Sequence, residues 1–302
     1  MATKQYIWQD GKFIDFNNAK VHILTHSLQY GSGIFEGIRA YSHGNRAAIF
    51  RLKEHVRRFV ETAKIYSMDL GYSEEELSEA IITLVKKNRL QQCYIRPFAY
   101  YNDSRIGLSV EGKKVSVAIA AIPFGNYFDN KAKGISCKVS SWKRINSEIM
   151  PPHAKASGNY RNSILASSEA KAVGADEAIM LTSGGYVAEG PGENIFLVMK
   201  GNLVTPSPRS DILMGITRDS IIKLAEEKGL VIEERDVHRE ELYIAEEIFF
   251  TGTAAELTPI IKVDGKKIGS GRMGPITKLL SDAFTKIVEG SDDGFNDWLT
   301  IV

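Results

Sequence analysis

A short stretch at 123–133, PFGNYFDNKAK, interrupts the regular patterning of the chain and restricts its fold more than any other feature. Proline, glycine, asparagine and aspartate are typical of connections, because each favours turn conformations. A chain longer than about 250 residues tends to divide into domains, each with its own hydrophobic core. This chain has 302 residues. The sequence therefore predicts an N-terminal domain at 1–122, an interdomain loop at 123–131 and a C-terminal domain at 132–302.

The region before the loop combines hairpins with two helices, which is typical of an α+β domain. His43-Gly44-Asn45 predicts a hairpin loop, and Ser73 with Glu76 has the pattern of a capping box at a helix start. The predicted strands are Tyr6–Trp8, Lys12–Ile14, Gly37–Ser42, Ala47–Arg51, Cys93–Tyr101 and Lys114–Ile122, and the predicted helices are Leu52–Met68 and a second one from Ser73 through Lys87.

Strands and helices also alternate after the loop. The predicted strands are Ile135–Trp142, Glu177–Thr182, Tyr186–Val187, Asn194–Met199, Val231–Glu234 and Glu247–Thr251, and the predicted helices are Asn159–Val173, Arg218–Lys228 and Pro275–Val288. The second and third of these strands are predicted to form a hairpin across Ser183-Gly184-Gly185.

The charge balance and the apolar runs exclude several classes of protein. The 38 basic and 37 acidic side chains leave a formal charge of +1, which argues against nucleic acid as the main partner. The longest apolar run, Val115–Phe124, is half the length of about 20 residues that a membrane helix needs. The first residues lack a signal-peptide pattern, and Cys93 and Cys137 are interpreted as two buried thiols. We expect a cytoplasmic protein.

Two patterns that resemble functional motifs have simpler interpretations. His22 and His26 have the spacing of helical metal ligands, but the residues between them include no acid. We interpret them as ordinary hydrogen-bonded histidines and expect no metal site. The glycine-rich stretch Gly184–Gly192 lacks the spacing of a phosphate-binding or dinucleotide-binding motif, so it is interpreted as a turn.

Three other segments could carry chemistry. Lys155 has small, uncharged neighbours and could be a nucleophile or base if buried, although a solvated loop lysine explains the same pattern. Gly215-Ile216-Thr217 precedes a predicted helix, and Thr251–Ala254 ends a predicted strand. Backbone N–H groups at such sites can hold a phosphate or carboxylate, and simple capping by threonine is the alternative.

Taken together and in order, these segments resemble the branched-chain aminotransferases, which are pyridoxal-phosphate enzymes of fold type IV. The matching runs are Tyr30-Gly31, Phe35-Glu36-Gly37-Ile38-Arg39, His55-Val56-Arg57-Arg58, Tyr94-Ile95-Arg96-Pro97, Ser140-Ser141-Trp142, Lys155–Tyr160, Gly185–Gly190, Gly192-Glu193-Asn194, Gly215–Arg218, Thr251–Glu256, Gly271-Arg272 and Gly274-Pro275. The resemblance implies an α+β N-terminal domain and an α/β pseudo-barrel C-terminal domain.

The resemblance also implies how pyridoxal 5'-phosphate is held. Lys155 would bind the cofactor covalently and shuttle the substrate proton as the catalytic residue. Glu189 would pair with the pyridine nitrogen, and the Tyr160 hydroxyl would contact the phenolic oxygen. The phosphate would be bound by Arg58, Ile216, Thr217 and Thr253. From its own surroundings alone, Arg58 is better explained as a surface salt-bridge residue on a helix.

On the substrate side, the resemblance implies a pocket for branched-chain amino acids and for glutamate or 2-oxoglutarate. Arg96 would bind the second carboxylate of glutamate, because an arginine fork suits a carboxylate. Leu108 would reach the pocket of a partner subunit, so a homodimer or an assembly of dimers is expected. The other substrate-binding positions would be Tyr30, Phe35, Gly37, Arg39, Tyr94, Tyr127, Thr253 and Ala254.

Two stretches depart from the family. Phe124 stands where many bacterial relatives have tryptophan, and Tyr101–Val110 matches poorly apart from its length. Alternatives with the same fold are a D-amino-acid transaminase and an aminodeoxychorismate lyase. A non-catalytic small-molecule-binding protein is an alternative from another class, against which the presence of both Lys155 and Glu189 argues.

Overall fold

A computed structural model of the protein describes residues 5–125 and 133–302. The chain forms two compact units, of which the first contains residues 5–125, 154–158 and 287–302 and the second contains residues 133–153 and 159–286. Two segments of the expected C-terminal domain thus belong to the first unit. Residues 154–158 join it through backbone hydrogen bonds, since the Phe35 N–H donates to the Lys155 carbonyl at 3.0 Å and the Ser157 N–H to the Gly33 carbonyl at 2.8 Å.

The first unit is built on an eight-stranded antiparallel sheet. Its strands are β1 (Tyr6–Gln9), β2 (Lys12–Asp15), β3 (Ile34–Phe35), β4 (Ile38–His43), β5 (Arg46–Phe50), β6 (Cys93–Tyr101), β7 (Val115–Pro123) and, from the other end of the chain, β17 (Leu299–Ile301). They follow the order β17-β5-β4-β6-β7-β1-β2, and β3 pairs with β6. The predicted hairpin at 43–45 is confirmed by the pairing of His43 with Arg46.

The first unit has three α-helices, α1 (His26–Tyr30), α2 (Leu52–Ile65) and α3 (Glu74–Lys87). The predicted capping box is confirmed, because Ser73 and Glu76 exchange backbone and side-chain hydrogen bonds. Helix α2 ends three residues before its predicted end, since Ser67 adopts a left-handed φ of 52°. Apolar side chains of α2, α3 and the sheet share one core, which includes Val56, Phe59, Leu77, Ile81, Leu84, Ile38, Ile95 and Ile119.

The second unit is built on a nine-stranded mixed sheet. Its strands are β8 (Ile135–Val139), β9 (Glu177–Leu181), β10 (Val187–Glu189), β11 (Asn194–Met199), β12 (Asn202–Pro206), β13 (Ile232–Arg235), β14 (Glu247–Gly252), β15 (Glu256–Val263) and β16 (Lys266–Lys267). The order is β10-β9-β8-β15-β14-β11-β12-β13, with β16 on β15 and three parallel pairs, β8 with β9, β8 with β15, and β12 with β13.

The two ends of this strand order meet. Tyr186 forms an antiparallel bridge with His238, and the Val187 N–H donates to the Val237 carbonyl at 2.8 Å. Tyr186 and Val187 stand at the start of β10, and Val237 and His238 follow β13. These bonds therefore close the sheet into the pseudo-barrel that the family resemblance implies. Its core includes Val139, Ile179, Ile195, Leu197, Val204, Ile248, Phe250 and Ile260.

Four helices follow β8 along the chain: α4 (Tyr160–Ala172), α5 (Ile216–Glu227), α6 (Glu241–Ile244) and α7 (Pro275–Val288). Helix α5 begins two residues before its predicted start, at Ile216, with Gly215 as the N-cap. In residues 5–125 and 133–302, no helix combines the length and apolar character that a membrane crossing requires.

The two cysteines are free, buried thiols, as predicted. Burial raises the pKa of Cys93 to about 12 and also raises the pKa of Cys137. A thiol that is neutral and enclosed is a poor nucleophile. Neither cysteine therefore has the environment of an activated nucleophile.

Candidate active site

Lys155 lies in a short segment that the first unit holds in place on both sides. Its carbonyl accepts the Phe35 N–H, and its own N–H donates to the hydroxyl of the buried Thr62 at 3.3 Å. Ala154 and Ala156, its neighbours, are buried, and Lys155 itself is partly buried. Lys155 thus extends from a fixed backbone segment and is partly shielded from solvent, unlike a fully solvated loop lysine.

The ring of Phe35 lies beside two cations. The Nζ of Lys155 is 5.2 Å from the ring centroid, and the guanidinium carbon of Arg96 is 4.6 Å from it. Arg96 also donates to the Tyr94 hydroxyl at 3.0 Å. The two residues are two positions apart in β6 and therefore lie on the same face of the strand. A Cβ at Gly37 would overlap the Tyr94 hydroxyl. The structure thus brings together five of the predicted residues.

Arg39 belongs to an aromatic cluster next to Tyr94. The two residues are cross-strand partners in β4 and β6, and the Tyr94 and Phe124 ring centroids are 5.1 Å apart. The Arg39 guanidinium lies 5.4 Å from the Phe124 centroid, and its Nη2 donates to the Gly125 carbonyl at 3.3 Å. Tyr127, a further predicted substrate residue, lies outside the described residues.

Arg58 forms a buried ion pair, which rules out a surface salt bridge. Its side chain is 12% exposed and that of Glu36 is 0% exposed. Arg58 Nε donates to Glu36 Oε1 at 2.6 Å and Nη2 donates to Oε2 at 2.9 Å, while His55 Nδ1 lies 2.8 Å from the same Oε2. Burial alone would raise the pKa of Glu36, but the two neighbouring side chains hold it well below its usual range.

Tyr30 and Leu108 belong to a second group of residues in the first unit. The Gly107 N–H donates to the Tyr30 hydroxyl at 3.2 Å, and the buried ring of His26 bonds to the Gly107 carbonyl at 3.0 Å and to Ser32 at 2.8 Å. These bonds confirm His26 as an ordinary hydrogen-bonded histidine. Leu108 is 81% exposed. The loop that carries it is therefore anchored at Gly107 but presents an apolar side chain to the outside.

In the second unit, the buried carboxylate of Glu189 is contacted by two side chains and one backbone N–H group. Arg144 Nε lies 2.7 Å from Oε1, and Oε2 accepts hydrogen bonds from Asn194 Nδ2 at 3.0 Å and from the Leu213 N–H at 3.1 Å. An adjacent cation and two donors all favour the ionised form. These contacts hold the Glu189 carboxylate in a fixed orientation.

The N-terminus of α5 lies next to this carboxylate group. A Cβ at Gly215 would overlap the Asn194 amide oxygen, so the N-cap and Asn194 are in close contact. Gly215 has no side chain with which to cap the helix, and Thr217 lies inside the first turn. The first N–H groups of a helix lack intrahelical acceptors and favour an anion. Capping by Thr217, the simpler alternative, is therefore wrong.

The turn Thr253-Ala254-Ala255 connects β14 to β15, as predicted for the end of that strand. Thr251, the cross-strand partner of Asn194, is buried, and its hydroxyl has no hydrogen-bond partner in the part of the chain that is described. Asn194 thus connects Glu189, the start of α5 and the strand that leads into this turn. Tyr160 is the first residue of α4 and is partly buried.

Several residues of these groups were not predicted from the sequence as site residues. Arg144 contacts the predicted residue Glu189 and Glu36 contacts the predicted residue Arg58, whereas His55 contacts Glu36; all three side chains are buried. Glu36 and His55 lie within motifs that the family resemblance includes, and their place in these motifs could have indicated a role at the site. Arg144 is distant from Glu189 in the sequence, and nothing in its local pattern indicates the contact.

The chain is similar to known proteins over nearly its whole length. The sequence model of the family described as amino-transferase class IV matches residues 33–263. The branched-chain-amino-acid aminotransferase of Pseudomonas aeruginosa is 46% identical over 298 residues, which cover 98% of this chain and 97% of that protein. The enzyme of the same name from Escherichia coli (strain K12) is 44% identical over 304 residues, covering 99% and 98%.

Solved structures are similar over the same length. The branched-chain aminotransferase from Thermoproteus uzoniensis, solved with norvaline, has a TM-score of 0.95 and 46% identity, covering 99% of both chains. The T.th. branched-chain amino acid aminotransferase, complexed with N-(5'-phosphopyridoxyl)-L-glutamate, has a TM-score of 0.94 and 42% identity, also covering 99% of both. The chain belongs to the class IV aminotransferases, a family of enzymes that depend on pyridoxal 5'-phosphate.

Proposed function

We propose that the protein exchanges amino groups reversibly between branched-chain L-amino acids (leucine, isoleucine and valine) and 2-oxoglutarate, in a ping-pong reaction with two half-reactions. The observation that carries the proposal is the arrangement around Phe35, where one aromatic ring lies beside both the Lys155 amine and the Arg96 guanidinium. An apolar surface suits an aliphatic side chain, and a guanidinium suits the second carboxylate of glutamate. The names of the relatives and their ligands, norvaline and a glutamate adduct, support the same assignment.

The chemistry of the described residues is compatible with pyridoxal 5'-phosphate. Lys155 supplies the amine that the cofactor's aldehyde requires, and Glu189 supplies a buried anion for a protonated ring nitrogen. When bound, the cofactor supplies an electron sink for the substrate's Cα–H bond. Arg144 Nε lies 2.7 Å from Glu189, and this cation would favour a carboxylate that can pair with the protonated ring nitrogen.

Lys155 is the proposed catalytic residue. Its amine would take the proton from the substrate Cα and would return it at the cofactor's C4' atom. Its carbonyl and N–H are both hydrogen-bonded, so the backbone from which the side chain extends is fixed. The Tyr160 hydroxyl would donate to the phenolic oxygen of the cofactor.

The phosphate group is assigned to four residues. Arg58 would provide the cation, and the N–H groups of Ile216 and Thr217 would provide the start of α5, where the helix dipole favours negative charge. Thr253, in the turn after β14, would provide a further hydroxyl or N–H group. An arginine and a helix N-terminus are both common in phosphate sites.

The substrate residues are assigned by their chemistry. The N–H groups of Thr253 and Ala254 and the Tyr94 hydroxyl would bind the α-carboxylate. Phe35, Tyr30 and Tyr160 would form the apolar wall. Gly37 leaves the space that the Tyr94 hydroxyl occupies. Arg39 and Tyr127 complete the proposed set, and Arg96 would distinguish glutamate from leucine.

A homodimer, or an assembly of dimers, is part of the proposal. Leu108 is 81% exposed although it is a large apolar residue, and the loop that carries it is held by His26 and Tyr30 at Gly107. An exposed apolar side chain on an anchored loop is suited to contact with another subunit. We propose that Leu108 contributes to the substrate pocket of the partner subunit.

A product assay tests the proposed function. Purified protein is incubated with pyridoxal 5'-phosphate, 2-oxoglutarate and one of L-leucine, L-valine or D-alanine, and L-glutamate is measured by chromatography. We expect L-glutamate with both branched-chain donors and none above background with D-alanine. Glutamate formation from neither branched-chain donor would contradict the proposal, and activity with D-alanine alone would assign a D-amino-acid transaminase.

A further inference from the structure

Glu36 is a buried carboxylate that no step of the proposed reaction uses. It lies between β3 and β4 with 0% of its side chain exposed, and both of its oxygens accept hydrogen bonds from α2. Arg58 donates to each oxygen, at 2.6 Å and 2.9 Å, and His55 is 2.8 Å from the second oxygen. Because a buried charge is costly unless it is fully paired, this cluster of three side chains forms as a unit.

The protonation states of the cluster follow from its geometry. An ionised carboxylate can only accept, so His55 donates its Nδ1 proton to Glu36. Burial lowers the pKa of His55 more than Glu36 raises it, so the imidazole is neutral near pH 7. The cluster then holds one anion, Glu36, and one cation, Arg58, and has no net charge.

We propose that Glu36 and His55 are positioning residues that orient the Arg58 guanidinium for the phosphate of pyridoxal 5'-phosphate. The inference rests on the proposed role of Arg58 in cofactor binding. A guanidinium is planar and rigid, so fixing its Nε–Nη2 edge on Glu36 also fixes the direction of its other N–H groups. His55 in turn fixes the carboxylate. The arginine is therefore ordered before the phosphate arrives, which lowers the entropy that binding costs.

If Glu36 acted only through its charge, its removal would strengthen the binding of the phosphate, whereas the proposed orienting role predicts weaker binding. The carboxylate cancels the charge of Arg58, so removing its charge would strengthen phosphate binding if orientation were unimportant. If orientation dominates, the same change weakens binding. The substitution Glu36→Gln separates these two possibilities by the direction of its effect, since glutamine has nearly the same size but accepts at one position only.

The experiment compares pyridoxal 5'-phosphate with pyridoxal, which lacks the phosphate. Holoenzyme loaded with either compound is dialysed against decreasing concentrations of it, and the bound compound is measured by its absorbance. For Glu36→Gln we expect the dissociation constant of pyridoxal 5'-phosphate to rise about tenfold, and that of pyridoxal to stay unchanged. Equal or tighter binding of the phosphate compound would overturn the inference. An equal loss for both compounds would also overturn it, because it would show a general defect of the site.

A second pair of variants keeps the inference testable if Glu36→Gln does not fold. Asparagine at 55 places an amide N–H near the position of Nδ1, whereas phenylalanine removes the donor. We expect His55→Asn to bind pyridoxal 5'-phosphate like the wild type and His55→Phe to bind it less tightly, with pyridoxal unaffected in both. Equal affinity in the two variants would contradict the role of His55. Failure of the wild type to bind pyridoxal 5'-phosphate would instead refute the proposed function itself.

Discussion

Phe35 contacts Lys155 through both its backbone and its ring. Its N–H donates to the Lys155 carbonyl at 3.0 Å, and its ring centroid lies 5.2 Å from the Lys155 Nζ. The first contact fixes the backbone of the proposed catalytic residue, and the second places an apolar surface beside its amine. Phe35 therefore holds the backbone of Lys155 and also provides the apolar surface that would receive an aliphatic substrate side chain.

Replacing Lys155 with alanine should abolish turnover without unfolding the protein. No other residue is proposed to carry the substrate proton, so we expect the rate to fall by about three orders of magnitude or more. The rate of glutamate formation is measured together with the circular dichroism spectrum. Lys155→Arg is the matched control for charge, because arginine retains a cation beside Phe35 but cannot form the covalent link. Normal turnover in either variant would disprove the catalytic role.

Arg96→Gln should separate the two substrate classes. Loss of a charge-assisted contact with the second carboxylate should raise the KM for L-glutamate and 2-oxoglutarate by about tenfold or more, while the KM for L-leucine changes little. The measurement is steady-state kinetics in both directions. Arg57→Gln, which changes an exposed arginine of α2, is the control. An equal change in KM for leucine and glutamate would assign Arg96 another role.

Glu189→Gln should slow the half-reaction with L-leucine. An amide has no negative charge to hold a proton on the ring nitrogen, so the electron sink is weakened, and we expect a decrease of about a hundredfold. Rapid mixing with L-leucine measures this step by absorbance. Glu193→Gln removes another buried carboxylate four positions away, one that accepts the Gly192 N–H, and should leave the rate nearly unchanged. A similar loss in both variants would contradict the specific role of Glu189.

The stability of the protein should decrease in mild acid because His55 is buried in its neutral form. Because burial lowers its pKa, the unfolded chain takes up a proton that the folded protein does not, and the free energy of unfolding falls as the pH falls. Between about pH 7.5 and about pH 5.5, this histidine accounts for at most about 1.4 kcal/mol. Glu36 is ionised in both states over this range, so it does not contribute.

Urea unfolding at the two pH values, at one protein concentration, tests this prediction. We expect His55→Asn to lose part of the pH dependence that the wild type shows, because asparagine does not titrate. His153→Asn, which changes an exposed histidine, is the matched control and should retain the full dependence. An unchanged pH dependence in His55→Asn would show that His55 does not cause it.

Local patterns predicted most of the first unit but missed parts of the second. The capping box at Ser73 and the turn at Gly44-Asn45 are encoded by neighbouring residues, so both were predicted. Strand β15 was missed, because it begins at Glu256 with a left-handed φ of 50° and contains Pro259. Its position depends on pairing with distant strands, and no short window contains that information.

The candidate site shows the same division. The resemblance to a known family supplied Lys155, Glu189 and Arg58, whereas local chemistry left each with a simpler alternative. Arg144 was missed, because its contact with Glu189 exists only after the chain has folded. Buried ion pairs between distant segments have no sequence signature of their own, so the residues that support a site are harder to predict than those that act in it.

A half-reaction measurement tests the central proposal most directly. Holoenzyme is mixed with a single amino acid in the absence of any 2-oxo acid, and the loss of the cofactor's absorbance band is followed. We predict a rapid loss with L-leucine and with L-glutamate, and none with D-alanine, together with a leucine response that depends on Lys155. A response to D-alanine but not to L-leucine would contradict the assignment to branched-chain amino acids.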